Sequence, residues 1–181
     1  MIQIIKSKKT NRLFLLSVII LFLGTVAFLL ENLASVHIGP YIRVGLSSLP
    51  NRVVDYLLGP VVGASFGAIM NCIKYAARPE GAFFPGFMLS AATASFIYGL
   101  LLHNKPVHVL NIIVAEILVK LLVNCGLNTL WLSMCYGQDF FVLFPVRALT
   151  NLAELPFASV ILYGLLKATE KVRTTKFKDI L

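Results

Sequence analysis

Apolar residues run along this chain in stretches long enough to cross a bilayer, broken by short polar segments rich in proline, glycine and charge. A hydrocarbon core of about 30 Å takes roughly 20 helical residues. Residues 12 to 33 meet that length, with an uncharged run of 18 residues from Leu13 to Leu30, and predict a first helix. The stretch "SVHIGPYIRVGLSSLP" that follows carries Gly, Pro and Ser with Tyr41, Arg43 and Gly45 in alternation, and predicts an extended loop. From Pro50 to Tyr75 the apolar pattern breaks at Gly59-Pro60. Proline cannot continue the hydrogen-bond ladder and the residue before it resists helix, so two helices are expected, 50 to 58 and 60 to 76. Three more follow at 85 to 102, 106 to 134 and 141 to 170.

The predicted fold class is therefore an all-α integral membrane protein of six transmembrane helices, one domain over residues 1 to 181. With an even number of spans, the loops 35 to 49, 77 to 84 and 135 to 140 share one side and both chain ends share the other. Composition agrees: 58% hydrophobic, 13% charged and a mean hydropathy of +0.85 lie far from a soluble domain.

Charge sets the orientation. Sixteen Lys and Arg against eight Asp and Glu give +8, concentrated in the ends "KSKKTNR" and "KATEKVRTTKFK". Lys6, Lys8, Lys9, Arg12, Lys105, Lys167, Lys171, Arg173, Lys176 and Lys178, ten of the sixteen cations, fall on the side of the termini. The positive-inside bias then makes the basic stretches 1–11 and 171–181 cytoplasmic, at an anionic lipid surface rather than on nucleic acid. A basic region before an apolar one imitates a signal peptide. The apolar run is longer than a signal core and no small-x-small site follows it cleanly, so an uncleaved helix is expected.

Polar residues inside the spans carry the functional information. Glu116, Lys120, Asn124, Asn128 and Trp131 recur at spacings of four, four, four and three on one face of the fifth helix, and Arg147, Asn151 and Glu154 share a face of the sixth. Charge facing lipid is costly, so both stripes must point into the bundle. Lys120 and Glu154 fall at matching depth and suit a structural ion pair, and the second helix adds Arg52 and Asp55 at i, i+3. No acidic residue falls at the depth of Asn124, Asn128, Trp131, Arg147 and Asn151. A cation there implies an anionic ligand, and Asn beside aromatic rings implies a flat heteroaromatic one.

The collar "ARPEGAFFPGF" sits where the fourth helix starts, with prolines and Gly81 limiting the freedom of Phe83, Phe84 and Phe87. Taken alone it suits an interfacial aromatic belt; beside the polar stripes it also suits one wall of a pocket. Gly63, Ala64, Gly67 and Ala68 at small-xxx-small spacing suit either an internal helix seam or a dimer interface. Enzyme and metal signatures are missing: no H-E-x-x-H, phosphate-binding loop or nucleophile elbow, while His37, His103 and His108 are scattered and Cys72, Cys125 and Cys135 lack ligand spacing.

The stretches "GPYIRVGLSSLP", "LLGPVVGASFGAIM", "GAFFPGFMLSAATASFIYGLLL", "LNTLWLSMCYG" and "VRALTNLAELP" resemble, in order, the S components of energy-coupling factor (ECF) vitamin transporters, in particular the folate group. The resemblance implies a non-enzymatic subunit of the cell membrane, without cofactor or metal, that captures a vitamin at its outer side. It would hand the vitamin to a transmembrane coupling protein driven by two cytoplasmic ATPases. Folate is the implied ligand, with Arg43, Phe84, Phe87, Asn124, Asn128, Trp131, Arg147 and Asn151 as the expected binding residues. Four features depart from the pattern the resemblance implies. Thr150 stands where a lysine is usual, Asn51, Arg52 and Asp55 occupy a helix that is usually apolar, and Asn71 stands at a usually acidic position. Ser17, Gly24 and Ala27 only approximate the Ala-x-x-x-Ala face by which the first helix would dock on the coupling protein. Another vitamin such as pantothenate remains an alternative, as does a structural membrane protein.

Overall fold

The computed structural model describes residues 16–30, 35–38, 42–77, 79 and 84–176. The first apolar run forms α1 (Leu16–Leu30). Next come two short strands, β1 (Ser35–Ile38) and β2 (Ile42–Gly45), and a 3-10 turn at Leu46–Ser48. The helices α2 (Leu49–Leu58), α3 (Pro60–Ala77), α4 (Pro85–Leu102), α5 (Val109–Tyr136) and α6 (Phe140–Lys176) complete the chain.

The segment expected to be extended, 35 to 49, carries two short strands within an otherwise all-helical chain. They pair antiparallel, with Ser35 opposite Gly45, His37 opposite Arg43 and Ile38 opposite Ile42. Val36, Ile38, Ile42 and Val44 are β-branched residues whose stiff side chains favour the extended backbone, and pairing satisfies amides that a lone extended segment would leave to solvent. The helix boundaries otherwise lie close to expectation: α5 starts at Val109 rather than at residue 106, and the largest shift is at the end of α6, which runs to Lys176 rather than stopping at residue 170. α4, α5 and α6 each contain a stretch long and apolar enough to cross a membrane, and α1 is a shorter apolar helix.

The break at Gly59-Pro60 is a sharp corner. Gly59 has φ +88°, a backbone region that side chains rarely tolerate, and its N–H still donates to Asp55 O at 3.1 Å, closing α2. α3 then returns alongside α2 and α4. A Cβ at Gly67 would lie 2.7 Å from Ser95 Oγ, one at Gly63 would strike the Asp55 side chain, and one at Gly99 would strike Pro60. The small residues of α3 thus serve a seam within the chain, where the missing side chains let backbones approach closely.

Two apolar cores flank that seam. One joins Tyr56 of α2, Tyr98 of α4, Ile112 and Val123 of α5 and Leu162 and Leu166 of α6; the other joins Ala27 of α1 to Val54, Phe66 and Met70. Large apolar side chains on the outer surface, among them Leu21, Phe22, Phe141, Leu149 and Phe157, are exposed as lipid-facing residues should be. At one end of the bundle, polar contacts tie the helix termini together. His103 Nδ1 lies 2.9 Å from Tyr56 O, Arg173 Nη2 donates to Asn104 Oδ1 at 2.9 Å, and Val107 N donates to Glu170 Oε1 at 3.1 Å. The opposite end, where α4 begins, α5 finishes and α6 begins, collects the functional candidates.

Candidate functional site

Within α5 the residues Val119–Leu127 adopt π-helical hydrogen bonding, between the α-helical stretches Val109–Leu118 and Asn128–Tyr136. The wider i to i+5 register alters which carbonyls the helix itself satisfies, and such segments are frequent at functional sites. Here the Asn124 carbonyl accepts from Thr129 Oγ1 at 3.3 Å and also from Arg147 Nε of α6 at 3.3 Å. The Asn124 side chain donates to Asn151 Oδ1 at 2.9 Å and accepts a long bond of 3.4 Å from Asn128 Nδ2, while Asn151 Nδ2 donates to Arg147 O at 2.7 Å. The two stripes therefore meet as one hydrogen-bonded cluster between α5 and α6. Asn128 Oδ1 lies in that cluster, buried, with no hydrogen-bond partner among the described residues.

One turn beyond Asn128, the cluster gives way to aromatic rings. Phe84 is the N-cap of α4 in extended conformation, and Pro85 occupies the first helical turn, where its missing N–H costs nothing. Phe87 N donates to Phe84 O at 3.1 Å. These constraints bring the Phe84 ring to 5.4 Å from Trp131, tilted by 45°, and to 6.3 Å from Phe87 edge-on. The Trp131 indole N–H donates to Ser90 Oγ of α4 at 3.0 Å. Aromatic pairs at such separations and tilts attract beyond simple burial. The result is a wall of three rings beside three amides and a guanidinium.

Deeper in the bundle the charges are paired. Lys120 Nζ, one turn below Asn124, lies 3.2 Å from Glu154 Oε2, the ion pair expected from their depth. Arg52 Nη1 lies 2.7 Å from Asp55 Oδ2, and its guanidinium sits 3.9 Å from the centre of the Tyr98 ring. Arg52, Asp55, Glu116 and Lys120 are all buried. A buried cation over an aromatic face gains from the ring quadrupole as well as from its carboxylate partner.

The family described as "ECF transporter, substrate-specific component" matches residues 13–166. This chain belongs to that family. It is similar to the folate transporter FolT of Clostridium novyi (strain NT), 32% identical over 133 residues that cover 74% of this chain and 77% of the relative. It is also similar to the folate transporter FolT of Leuconostoc mesenteroides subsp. mesenteroides, 30% identical over 142 residues covering 75% and 76%. A solved structure, FolT bound with folic acid, shares the fold at TM-score 0.74 and 24% identity, covering 81% of this chain and 90% of that one. As an S component the chain is a multi-pass protein of the cell membrane, in a family of transport subunits rather than enzymes.

Seven of the eight residues expected to bind ligand lie in this S component at one end of the bundle: Phe84, Phe87, Asn124, Asn128, Trp131, Arg147 and Asn151. The eighth, Arg43, belongs to β2, and its side chain lies outside the described residues. Phe83, the other ring of the collar, is likewise outside them. Thr150, the substituted position, bonds its own helix through Val146 O at 3.1 Å and Arg147 O at 3.0 Å. Three contributors lie in the quoted stretches, where sequence reasoning does not single them out as site residues. Ser90 and Thr129 reach the cluster through single hydrogen bonds, and Gly86 through the space it leaves under the rings.

Proposed function

We propose that this S component captures folate at the end of the bundle where α4 begins, α5 finishes and α6 begins, and that this end faces outward. The observation that carries the reading is Asn128 Oδ1, buried without a hydrogen-bond partner among the described residues. Asn51 Oδ1, Asp55 Oδ1, Ser95 Oγ and Ser159 Oγ share that state, but Asn128 alone of these belongs to the amide cluster that Arg147 joins, one turn from Trp131. An orphaned buried acceptor is costly, and a ligand ring bearing N–H donors would relieve it. A pterin has that chemistry and stacks on aromatic faces, and the glutamate carboxylates of folate suit a guanidinium. The two relatives named folate transporters support the same ligand. In this reading Arg43 of β2 is a further candidate cation for the glutamate tail.

The chain makes six membrane passes as a single domain, with both basic ends cytoplasmic. It has no catalytic activity of its own, and it delivers folate to a transmembrane coupling protein with two ATPases. Affinity then comes from the pocket alone, without ATP. Isothermal titration of the purified protein with folate, pantothenate and a pterin lacking the tail is the test. Saturable folate binding, weaker for the truncated pterin, is expected, whereas binding of pantothenate with none of folate overturns the assignment. Cysteines placed at Glu80 and Thr174 should label from opposite sides of the membrane; labelling from one side would refute the six-pass topology.

A further inference from the structure

We infer that Ser90 and Gly86 of α4 are positioning residues that fix the Trp131 indole in the ligand site; the inference rests on the reading of this end of the bundle as the folate pocket. Ser90 lies outside both the polar stripes and the aromatic collar, and Gly86 is the collar residue between Pro85 and Phe87 that carries no side chain. They lie four residues apart on one face of α4, the face turned toward α5. Ser90 is 2% exposed and its hydroxyl accepts the Trp131 N–H at 3.0 Å, which ties the edge of the indole to α4. Gly86 seats the body of the same ring: a Cβ there would lie 2.6 Å from Trp131 Cδ2 and 2.5 Å from Phe84 Cε1. The indole is thus held at its edge by a hydrogen bond and under its face by a missing side chain. Phe84, 5.4 Å away, is placed by the same glycine.

A ring held in this way presents one surface to a flat ligand. Ordering it during binding would otherwise subtract from affinity, so pre-setting its rotamer favours tight capture. The hydroxyl is also an acceptor away from bulk water, and an indole N–H deprived of it would be left unsatisfied or would turn toward another partner. Ser90 therefore acts on the ligand through Trp131, and Gly86 through Trp131 and Phe84 together.

Trp131 is the single tryptophan of the chain, so emission excited at the red edge of absorption reports on this ring alone, and the long-wavelength indole bands of the near-ultraviolet circular dichroism stand apart from those of the six tyrosines. The experiment records both signals on the full chain in lipid nanodiscs without ligand, then titrates folate. Ser90→Ala is expected to move the indole signals and to weaken folate binding about 3- to 10-fold, the worth of one net hydrogen bond. Ser90→Thr, which keeps a hydroxyl, should restore both. Gly86→Ala should move the same signals and weaken folate by about 10-fold or more, because the added carbon displaces two rings. Unchanged indole signals in Ser90→Ala overturn the inference, whether its affinity falls or only its thermal stability does. Should that variant fail to fold, unchanged signals in Gly86→Ala overturn it equally. If the parent protein binds no folate, the folate reading falls by itself, and the ligand-free indole signals still decide whether α4 holds Trp131.

Discussion

At the mouth of the bundle, Asn124, Asn128, Asn151 and Arg147 hold one another through hydrogen bonds of 2.7 to 3.4 Å and leave one buried acceptor open. One turn deeper along α5, Lys120 has a carboxylate within 3.2 Å, and at mid-bundle Arg52 has one within 2.7 Å. Both regions keep polar groups away from lipid, but the mouth is built from neutral amides around a cation, whereas the interior pairs opposite charges. Amides exchange partners at small cost, so a cluster of them can open to a ligand. A buried ion pair that loses one partner leaves an uncompensated charge, so it resists change. The contrast predicts that substitutions deep in the bundle lower stability and that substitutions at the mouth lower affinity.

The largest effect should come from breaking the mid-bundle pair. Asp55 is fully buried and Arg52 8% exposed, so Asp55→Ala should cost about 3 to 5 kcal/mol of stability. Thermal unfolding in detergent measures the loss, and the fraction that remains folded should bind folate as before. The double replacement Arg52→Met with Asp55→Leu sharpens the comparison, since removing both charges together should recover most of that stability. Loss of folate binding by a well-folded double variant would extend the site to mid-bundle and break the division by depth.

Arg147→Ala is next, weakening folate by about 1.5 to 3 kcal/mol through loss of a charge-assisted bond to carboxylate, with a melting temperature close to the parent's. Titration calorimetry of parent and variant decides it. Glu154→Ala should do the reverse on a smaller scale. Its side chain is 34% exposed, so solvent screens part of the pair and a stability loss of about 1 to 2 kcal/mol is expected, with affinity retained. A normal affinity for Arg147→Ala together with lost affinity for a folded Glu154→Ala would invert the assignment. The smallest effect belongs to the rings. Phe84→Leu or Phe87→Leu should keep the fold and reduce folate affinity by roughly 0.5 to 1.5 kcal/mol per ring; if only the melting temperature moves, the collar is an interfacial belt.

The division by depth was legible before any fold was known, because helical spacing and direction along the chain are local quantities. Spacings of four, four, four and three place Glu116 through Trp131 on one face, and counting turns from the ends of α5 and α6 sets Lys120 level with Glu154. The hydropathy runs delimit the helices for a similar reason: the bilayer thickness is a fixed ruler that each segment meets by itself. The hairpin was less legible, because a strand is completed by its partner, and Ser35–Ile38 has no pattern of its own long enough to announce one.

What the sequence by itself determined is a membrane-embedded helical chain with two polar stripes, a small-residue seam and an aromatic collar, each a property of residues near one another along one element. Only the tertiary structure decided how these pieces meet. The Trp131–Ser90 bond joins residues 41 apart, and the Arg147–Asn124 contact joins residues 23 apart. Gly86 matters through the carbon it lacks beneath two rings. The π-helical register of Val119–Leu127 has no residue signature; it is a choice among helix geometries of nearly equal local energy, settled by the packing of α5 against its neighbours. Local periodicity is written in the order of residues, whereas the distance between two helix faces depends on every side chain packed between them.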